Sequence, residues 1–260
     1  MGRYDVATCI DHVLNATGAT KLTIVAFSQG VLANLVLHSV RPEYSEKVNL
    51  LVAYGPVANI THIEPPFRWL MPIIPILEPI LYPFTEAGYL GTSTGLRELI
   101  SAVCRIIANP LCAASFTITA FASPEQLNET RMPVYVGHIP TGSTYQNFLH
   151  YHQIYEAKNL VMFDYGTVKN RRLYGQAKPP PYPLERIRVP IALFPAPGDT
   201  VATSADVSDL VDRLGENVIF EHVLPVPTFL HMDFAIGYKA NDILHNIAIE
   251  LMQKYADEGL

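Results

Sequence analysis

Short apolar runs and longer amphipathic stretches alternate along the first 60 residues, as strands and helices do in α/β proteins. The run Leu22–Val25 is apolar and rich in β-branched residues, so it predicts a buried strand. The stretch Val31–Leu37 reads as a helix, and Leu50–Tyr54 is a second strand-like run. Strands that alternate with helices predict an α/β fold built on a parallel sheet.

The same alternation returns near the C-terminus. The runs Val189–Pro195 and Asn217–Leu224 predict two more strands, with a helix over Ser204–Leu214 between them. A final helix is expected over Asn241–Tyr255. With the two earlier strands, this pattern predicts a parallel sheet of about four strands.

The middle of the chain has a different pattern. Four prolines between residues 72 and 83 interrupt its most apolar stretch, Phe67–Phe84. Helical spacing then returns over Thr92–Ala108 and Tyr145–Lys158. We therefore expect a mainly helical unit to be inserted between two parts of the sheet.

This division predicts three parts along the chain. A first core segment covers 1–60, a helical cap or lid covers 61–185, and a second core segment covers 186–260. We call residues 61–185 the insertion, because they separate the two segments that build the sheet.

The turn between the first strand and the first helix carries the most specific chemistry. Residues 26–30 read AFSQG, with Ser28 at the centre and the small residues Ala26 and Gly30 on either side. A strand, a tight turn with a central serine and a helix form the layout of a nucleophile elbow, in which small residues let strand and helix pass closely. The helix N-terminus favours developing negative charge. A serine in such a setting also arises by chance, so the motif alone leaves that alternative open.

A serine nucleophile needs a base, and the base needs a carboxylate to orient it. Asp199 lies in the turn after the third predicted strand, and His231 lies in the loop after the fourth. The chain order Ser-Asp-His is the one expected with this type of elbow. Asp233 competes as the acid, but it follows His231 too closely to come from the preceding strand, so we rank it second. Simpler roles remain open, since Asp199 also suits a turn and His231 a surface or helix-capping position.

These segments resemble the acid lipase family of α/β-hydrolases, which includes gastric and lysosomal acid lipases, over nearly the whole chain. Phe27–Gly30 is similar to the family's His-Ser-Gln-Gly elbow, with Phe27 in place of the histidine. Gly55–Ala58 matches the next strand end, and Gln146 with Asn147 matches a stretch that links cap and core. His231–Phe234 is similar to the family's His-Leu-Asp-Phe.

The resemblance implies a partial α/β-hydrolase fold with a helical cap. Carried over position by position, it makes Ser28 the nucleophile, Asp199 the acid and His231 the base, and it makes the Gln29 backbone N–H one oxyanion-hole donor. It also implies hydrolysis of triacylglycerol or cholesteryl ester through an acyl-enzyme, without a cofactor. The expected partner is a neutral lipid or the surface of a lipid droplet or micelle.

The resemblance also predicts an N-terminal truncation. Family members have a long preceding part with a signal peptide, several strands and a His-Gly loop that gives a second oxyanion N–H. This sequence begins inside the family pattern and lacks a signal-peptide-like apolar run at Met1. The alternative function is therefore a catalytically impaired or non-catalytic lipid-binding product.

Composition narrows the picture further. A net charge of −6 with 18 Lys and Arg argues against nucleic-acid binding. Only 16% of residues are charged, which fits a large apolar core or an apolar cap. The prolines of Phe67–Phe84 argue against a transmembrane helix. His150 and His152 do not share a helix face, so we expect no metal site.

Cysteines and glycosylation motifs bear on the compartment. The chain has three cysteines, and the family resemblance implies a disulfide between Cys104 and Cys112, with a pair of buried thiols as the alternative. Asn-X-Ser/Thr motifs at Asn15, Asn59 and Asn128 are candidate N-glycosylation sites. A secreted or lysosomal location is expected for the full-length protein.

Overall fold

A parallel sheet of four strands lies at the centre of the computed structural model, which describes residues 1–85, 88–91, 94–106, 109–120, 122–139 and 141–257. Two further short strands pair in antiparallel fashion within the insertion. The strands in chain order are β1 (Leu22–Phe27), β2 (Val48–Tyr54), β3 (Tyr89–Leu90), β4 (Ser143–Thr144), β5 (Ile191–Phe194) and β6 (Val218–Glu221).

The order β1-β2-β5-β6 places the carboxyl ends of the main strands along one edge of the sheet. Phe27 lies opposite Tyr54, and Tyr54 lies opposite Phe194, so β1, β2 and β5 end at the same level. The residues that follow these strands therefore meet at one edge, which is where α/β proteins with open sheets bind their ligands.

Both faces of the sheet are covered, as the continuous apolar runs of the strands require. On one face, Leu51 and Leu193 pack with residues of the helix after β1, such as Leu35. On the other face, Val52 and Phe194 pack with residues near the C-terminus. All five of these side chains are at most 1% exposed.

Helices cover both faces of the sheet and also make up most of the insertion. The core helices are α1 (Ala7–Thr17), α2 (Gln29–Val40), α10 (Ser204–Leu214), α11 (Asp233–Ile236) and α12 (Asn246–Asp257). Those of the insertion are α3 (Phe67–Leu70), α4 (Ile74–Leu81), α5 (Thr94–Ile106), α6 (Asn109–Ala120), α7 (Met132–His138), α8 (Tyr145–Ala157) and α9 (Thr167–Tyr174). Short 3₁₀ segments occur at Pro42–Lys47, Met71–Ile73, Tyr82–Phe84, Glu129–Arg131, Leu184–Arg186 and Gly215–Asn217, and π-helical turns at Gly2–Val6 and Asn241–His245.

The predicted elements agree closely with these bounds. The helix Ser204–Leu214 has the predicted limits, and α8 ends one residue before the predicted Lys158. The helix predicted over Thr92–Ala108 is found as α5, and residues 92, 93, 107 and 108 lie outside the described residues. The predicted final helix has a π-helical first turn before α12 begins.

Cys104 in α5 and Cys112 in α6 are joined by a disulfide bond. The third cysteine, Cys9, is exposed and free. The bond ties two consecutive helices of the insertion and does not involve the sheet. Within the described ranges, no helix combines the length and the apolar character needed to cross a membrane.

The three glycosylation motifs lie in different settings. Asn15 is exposed on α1, and Asn128 is half-buried at the start of the Glu129–Arg131 turn, where its side chain accepts the Thr130 N–H. Asn59 is only 6% exposed, and its Oδ1 accepts the Thr61 hydroxyl at 2.7 Å. Of the three candidate acceptors, Asn59 is therefore the least accessible to a bulky glycan in this fold.

Candidate active site

Ser28 lies at the turn between β1 and α2 with φ 54° and ψ −118°, a conformation that side-chain-bearing residues rarely adopt. Its backbone N–H donates to the Tyr54 carbonyl at 3.0 Å, so the turn is fixed to the end of β2. A Cβ added at Gly30 would lie 3.7 Å from the Cβ of Ala26, which is contact distance. The backbone therefore passes closely at these two small residues, as expected for a nucleophile elbow.

The structure brings Ser28, His231 and Asp199 into one chain of hydrogen bonds. Ser28 Oγ lies 2.7 Å from His231 Nε2, and His231 Nδ1 lies 2.7 Å from Asp199 Oδ2. His231 is 6% exposed and Asp199 is 3% exposed. In the neutral tautomer with the proton on Nδ1, His231 donates to Asp199 and accepts from the serine hydroxyl.

The loop after β5 holds Asp199 firmly. Its second oxygen, Oδ1, accepts the Val201 N–H at 2.8 Å and the Ala202 N–H at 2.9 Å. The loop also packs directly on the backbone that precedes His231. A Cβ at Gly198 would lie 2.3 Å from the Pro227 carbonyl oxygen, so glycine is required at that contact.

Asp233 has a different set of partners from Asp199. Its carboxylate accepts N–H groups from Ser123 at 2.9 Å and from Leu230 at 2.7 Å. Burial, with a smaller contribution from the charge of Asp199, raises the pKa of Asp233 to about 6 in spite of these N–H donors. The geometry therefore favours Asp199 over Asp233 as the group that orients His231.

Sequence reasoning missed two close neighbours of His231. Gly55 follows β2 with φ 48°, and a Cβ there would lie 3.2 Å from Asp199 Oδ2 and 3.3 Å from His231 Cε1. The ring of Phe27 lies with its centroid 4.9 Å from that of the His231 ring. The signal for Gly55 was present in the sequence, as a Gly-Pro pair at the end of a predicted strand.

Gln29 is the first residue of α2, and the first N–H groups of a helix have no partner within it. Its side chain connects the elbow with the insertion: Nε2 donates to Asn147 Oδ1 at 2.7 Å. Asn147 Nδ2 in turn donates to Ser143 Oγ at 3.0 Å. These bonds hold the start of α8 against the residue directly after Ser28.

A cavity of about 430 Å³ opens beside Ser28 and His231. The core contributes Val57 and Ile60 to its wall, and the insertion contributes apolar side chains from Phe67 to Leu77. Its lining is mostly apolar, and Ser28 and His231 are among its few polar residues. A long apolar group therefore fits the cavity with its polar end at the serine.

Comparison with curated proteins shows similarity along almost the entire chain. The lysosomal acid lipase/cholesteryl ester hydrolase of Rattus norvegicus is 30% identical over 257 residues, which cover 98% of this chain and 64% of that protein. The gastric triacylglycerol lipase of Bos taurus is 32% identical over 260 residues, which cover 97% of this chain and 63% of that protein. The predicted resemblance to the acid lipase family is confirmed. No protein-family model matches the chain.

The chain spans slightly less than two thirds of the length of these relatives. Among solved structures, the monoacylglycerol lipase of Paleococcus ferrophilus superposes with a TM-score of 0.54 at 15% identity, and the match covers 98% of this chain and 76% of that one. The prediction of a partial α/β-hydrolase fold is confirmed.

Such an arrangement can activate a hydroxyl for attack on an electrophilic carbonyl. His231 is placed to take the Ser28 proton, and the buried Asp199 carboxylate is placed to stabilise the imidazolium that forms. The first N–H groups of α2 follow Ser28 directly and have no partner within the helix, so they are candidate donors to an oxyanion. Among the described residues, no cluster of three or more His, Cys, Asp or Glu side chains could hold a metal ion.

Proposed function

We propose that this chain carries the active site of a serine ester hydrolase that acts on neutral lipids, either triacylglycerol or cholesteryl ester. The observation that carries the proposal is the unbroken hydrogen-bond chain from Ser28 through His231 to Asp199 at one end of an apolar cavity. The similarity to acid lipases supports it.

In the proposed mechanism, Ser28 Oγ attacks the ester carbonyl carbon while His231 Nε2 takes its proton. The carbonyl oxygen becomes an oxyanion, which the Gln29 N–H stabilises. The tetrahedral intermediate collapses as the alcohol leaves with the proton from His231, and an acyl group remains on Ser28. Water then attacks the acyl-enzyme with His231 as base, which releases the fatty acid and restores Ser28.

The substrate class follows from the insertion. One side of the segment from α3 to α4 lines the cavity, with Met71 and Ile74 almost fully buried. The other side carries Trp69, Ile76 and Ile80, which are 67%, 63% and 56% exposed. Apolar residues on both sides of one segment suit a lid between an apolar cavity and a lipid surface.

The compartment is part of the same proposal. A disulfide between Cys104 and Cys112 suits an oxidising environment. One of the similar proteins is named as lysosomal. We therefore propose that the protein is secreted or lysosomal.

Covalent labelling tests the proposal most directly. The purified chain is incubated with a fluorophosphonate probe, and the modified residue is identified by mass spectrometry. We expect the probe on Ser28, because only a serine with an adjacent base reacts readily. The chain should hydrolyse emulsified triolein or cholesteryl oleate, and the ratio of the two rates decides between the ester classes.

Matched serine variants provide the control. Ser28→Ala should lose labelling and at least roughly 1000-fold of the turnover, since members of such a unit act together. Ser208→Ala, on the exposed face of α10, should retain both. Labelling at another serine, or turnover that survives Ser28→Ala, would contradict the assignment. We do not favour the non-catalytic alternative, because the three side chains are already in hydrogen-bond contact.

A further inference from the structure

One segment of the insertion runs directly against the loop that carries His231. This segment, Ala122–Gln126, lies between α6 and the Glu129–Arg131 turn, and we call it the strap. Ala122 is fully buried, and Ser123 and Gln126 are 2% and 3% exposed. Its neighbours Leu127 and Met132 belong to a cluster against which Met232 and Ile236, on the His231 side, also pack.

Asp233 is the central link between strap and loop. Its side chain is fully buried, and its carboxylate accepts N–H groups from both sides of the contact, with the Ser123 N–H also 3.2 Å from Oδ2. Oδ1 accepts the Ser123 N–H at 2.9 Å, and Oδ2 accepts the Leu230 N–H at 2.7 Å. One carboxylate therefore joins the strap to the residue immediately before His231.

Two further hydrogen bonds lie on either side of this link. The Thr228 hydroxyl donates to Glu125 Oε2 at 3.0 Å, and the Tyr238 N–H donates to the Gln126 carbonyl at 3.0 Å. The loop is thus held before His231, directly beside it and after it. The strap residues that take part in these bonds all lie between Ser123 and Gln126.

Fixing the ring of His231 requires more than its bond to Asp199. A single hydrogen bond leaves the ring free to pivot about it, whereas proton transfer from Ser28 needs the 2.7 Å contact at Nε2. A displacement of about 1 Å in such a site can lower the rate roughly 100-fold. The position of the His231 backbone is therefore a separate requirement for activity.

We propose that Asp233 is a positioning residue that fixes the His231 backbone against the strap, so that the insertion helps to set the distance between His231 and Ser28. This inference rests on the proposed hydrolase function. Asp233 touches neither Ser28 nor the substrate cavity, and its effect passes through the Leu230 and Ser123 N–H groups.

Asp233→Asn gives the sharpest test, because an amide has nearly the same shape but only one acceptor oxygen. Its NH₂ group would face an N–H group from either Ser123 or Leu230. With p-nitrophenyl butyrate at pH 7.5, we expect kcat to fall roughly 10- to 100-fold while KM stays within about twofold. Hydrogen exchange should become faster in peptides that cover the strap and residues 229–237, and stay unchanged in β2 and β5.

Asp164→Asn is the matched control. Asp164 Oδ1 also accepts a backbone N–H, from Gly166 at 2.8 Å, but it lies before α9 and away from the His231 loop. Its kcat should stay within about twofold of the wild type. Thr228→Val is the second test variant if Asp233→Asn does not fold, and it should give a smaller kcat loss with faster exchange confined to the same peptides.

The outcomes separate the inference from the function on which it rests. A kcat for Asp233→Asn within twofold of the wild type, or faster exchange throughout the sheet, would overturn the positioning role. A wild-type chain without esterase turnover or Ser28 labelling would instead refute the proposed function. In that case, hydrogen exchange of Asp233→Asn would still test the contact between the strap and the His231 loop. Faster exchange confined to these two segments would support the contact, and unchanged exchange would overturn it.

Discussion

The cavity has one wall from the core and one from the insertion, and the two walls differ in their secondary structure and in the exposure of their side chains. The core wall consists of strand ends and tight loops, and the strands β2 and β5 behind it contain fully buried residues such as Leu50 and Leu193. The insertion wall includes short helices that carry apolar side chains such as Trp69 and Ile76, more than half exposed, on the side away from the cavity. The core wall fixes atoms for chemistry, whereas the insertion wall presents an apolar surface. Changes in the first should affect every ester, and changes in the second only esters presented as lipid.

The largest effect is expected from Asp199→Asn, in the core wall. The amide NH₂ would face either His231 Nδ1 or the N–H groups of Val201 and Ala202, so the productive His231 tautomer would be lost. We expect turnover to fall roughly 1000-fold or more for soluble and emulsified esters alike.

Initial rates with p-nitrophenyl butyrate and with triolein emulsion measure this loss. Asp233→Asn provides the comparison, because its defect should be at least tenfold smaller. A larger defect in Asp233→Asn than in Asp199→Asn would reverse the assignment of the acid.

Gly55→Ala should have the next largest effect. The new Cβ would press on both Asp199 and His231, and the φ of 48° disfavours any side chain. We expect a roughly 10- to 100-fold loss of kcat and about 1–3 kcal/mol of destabilisation. Kinetics and urea unfolding measure the two effects.

Gly215→Ala separates strain from contact. Gly215 has a similar φ of 55°, but a Cβ there would meet no atom within 4 Å. The Gly215→Ala variant should therefore be destabilised by about as much as Gly55→Ala, but its kcat should stay at the wild-type value. Equal activity loss in the two variants would mean that strain alone, and not contact with His231, explains the Gly55 effect.

A smaller and selective effect is expected in the insertion wall. Replacing Trp69 and Ile76 together by serine should lower the rate on triolein emulsion about tenfold, because less apolar surface is buried at the lipid interface. The rate on soluble p-nitrophenyl butyrate should stay within about twofold. Val168→Ser, which removes an 87% exposed apolar side chain from α9, serves as the control. Equal losses of rate on both substrates would contradict the prediction that the insertion wall affects only esters presented as lipid.

The smallest effect concerns the free energy of unfolding and its dependence on pH through Asp233, which joins the strap to the His231 loop. The pKa of Asp233 is raised from 3.8 to about 6, so its protonated form is favoured by folding. Protonation of Asp233 therefore stabilises the folded state fully below about pH 4, and this stabilisation is lost as the pH rises through 6. The wild type should therefore gain about 2 kcal/mol relative to Asp233→Asn between pH 7.5 and pH 4.5, as measured by urea unfolding. A difference that is independent of pH would show that Asp233 is not desolvated in solution.

Most of the core could be predicted from the sequence because its signals are local. Apolar runs such as Leu50–Tyr54 are continuous, since both faces of a parallel sheet are buried, and Ser204–Leu214 has a clear helical period. The order of Ser28, Asp199 and His231 along the chain was also readable, because each follows a strand.

The contacts between core and insertion could not be predicted in the same way. Asp233 bonds to Ser123 across 110 residues, and Gln29 bonds to Asn147 across 118, so no periodicity links the partners. The burial of Asn59 likewise depends on tertiary packing and not on its glycosylation motif. Such long-range contacts depend on how the insertion packs against the core, and the local preference of residues for helix or strand does not determine that packing.

The backbone of Ser28 has a consequence for how this sequence evolves. A glycine at this position would adopt the same φ and ψ without strain, so Ser28→Gly should stabilise the fold even as it removes the hydroxyl. Selection for stability alone would therefore favour glycine here, and a serine persists only where its chemistry is under selection. A copy of this gene released from that constraint should lose the hydroxyl early, while its sheet and helices remain intact.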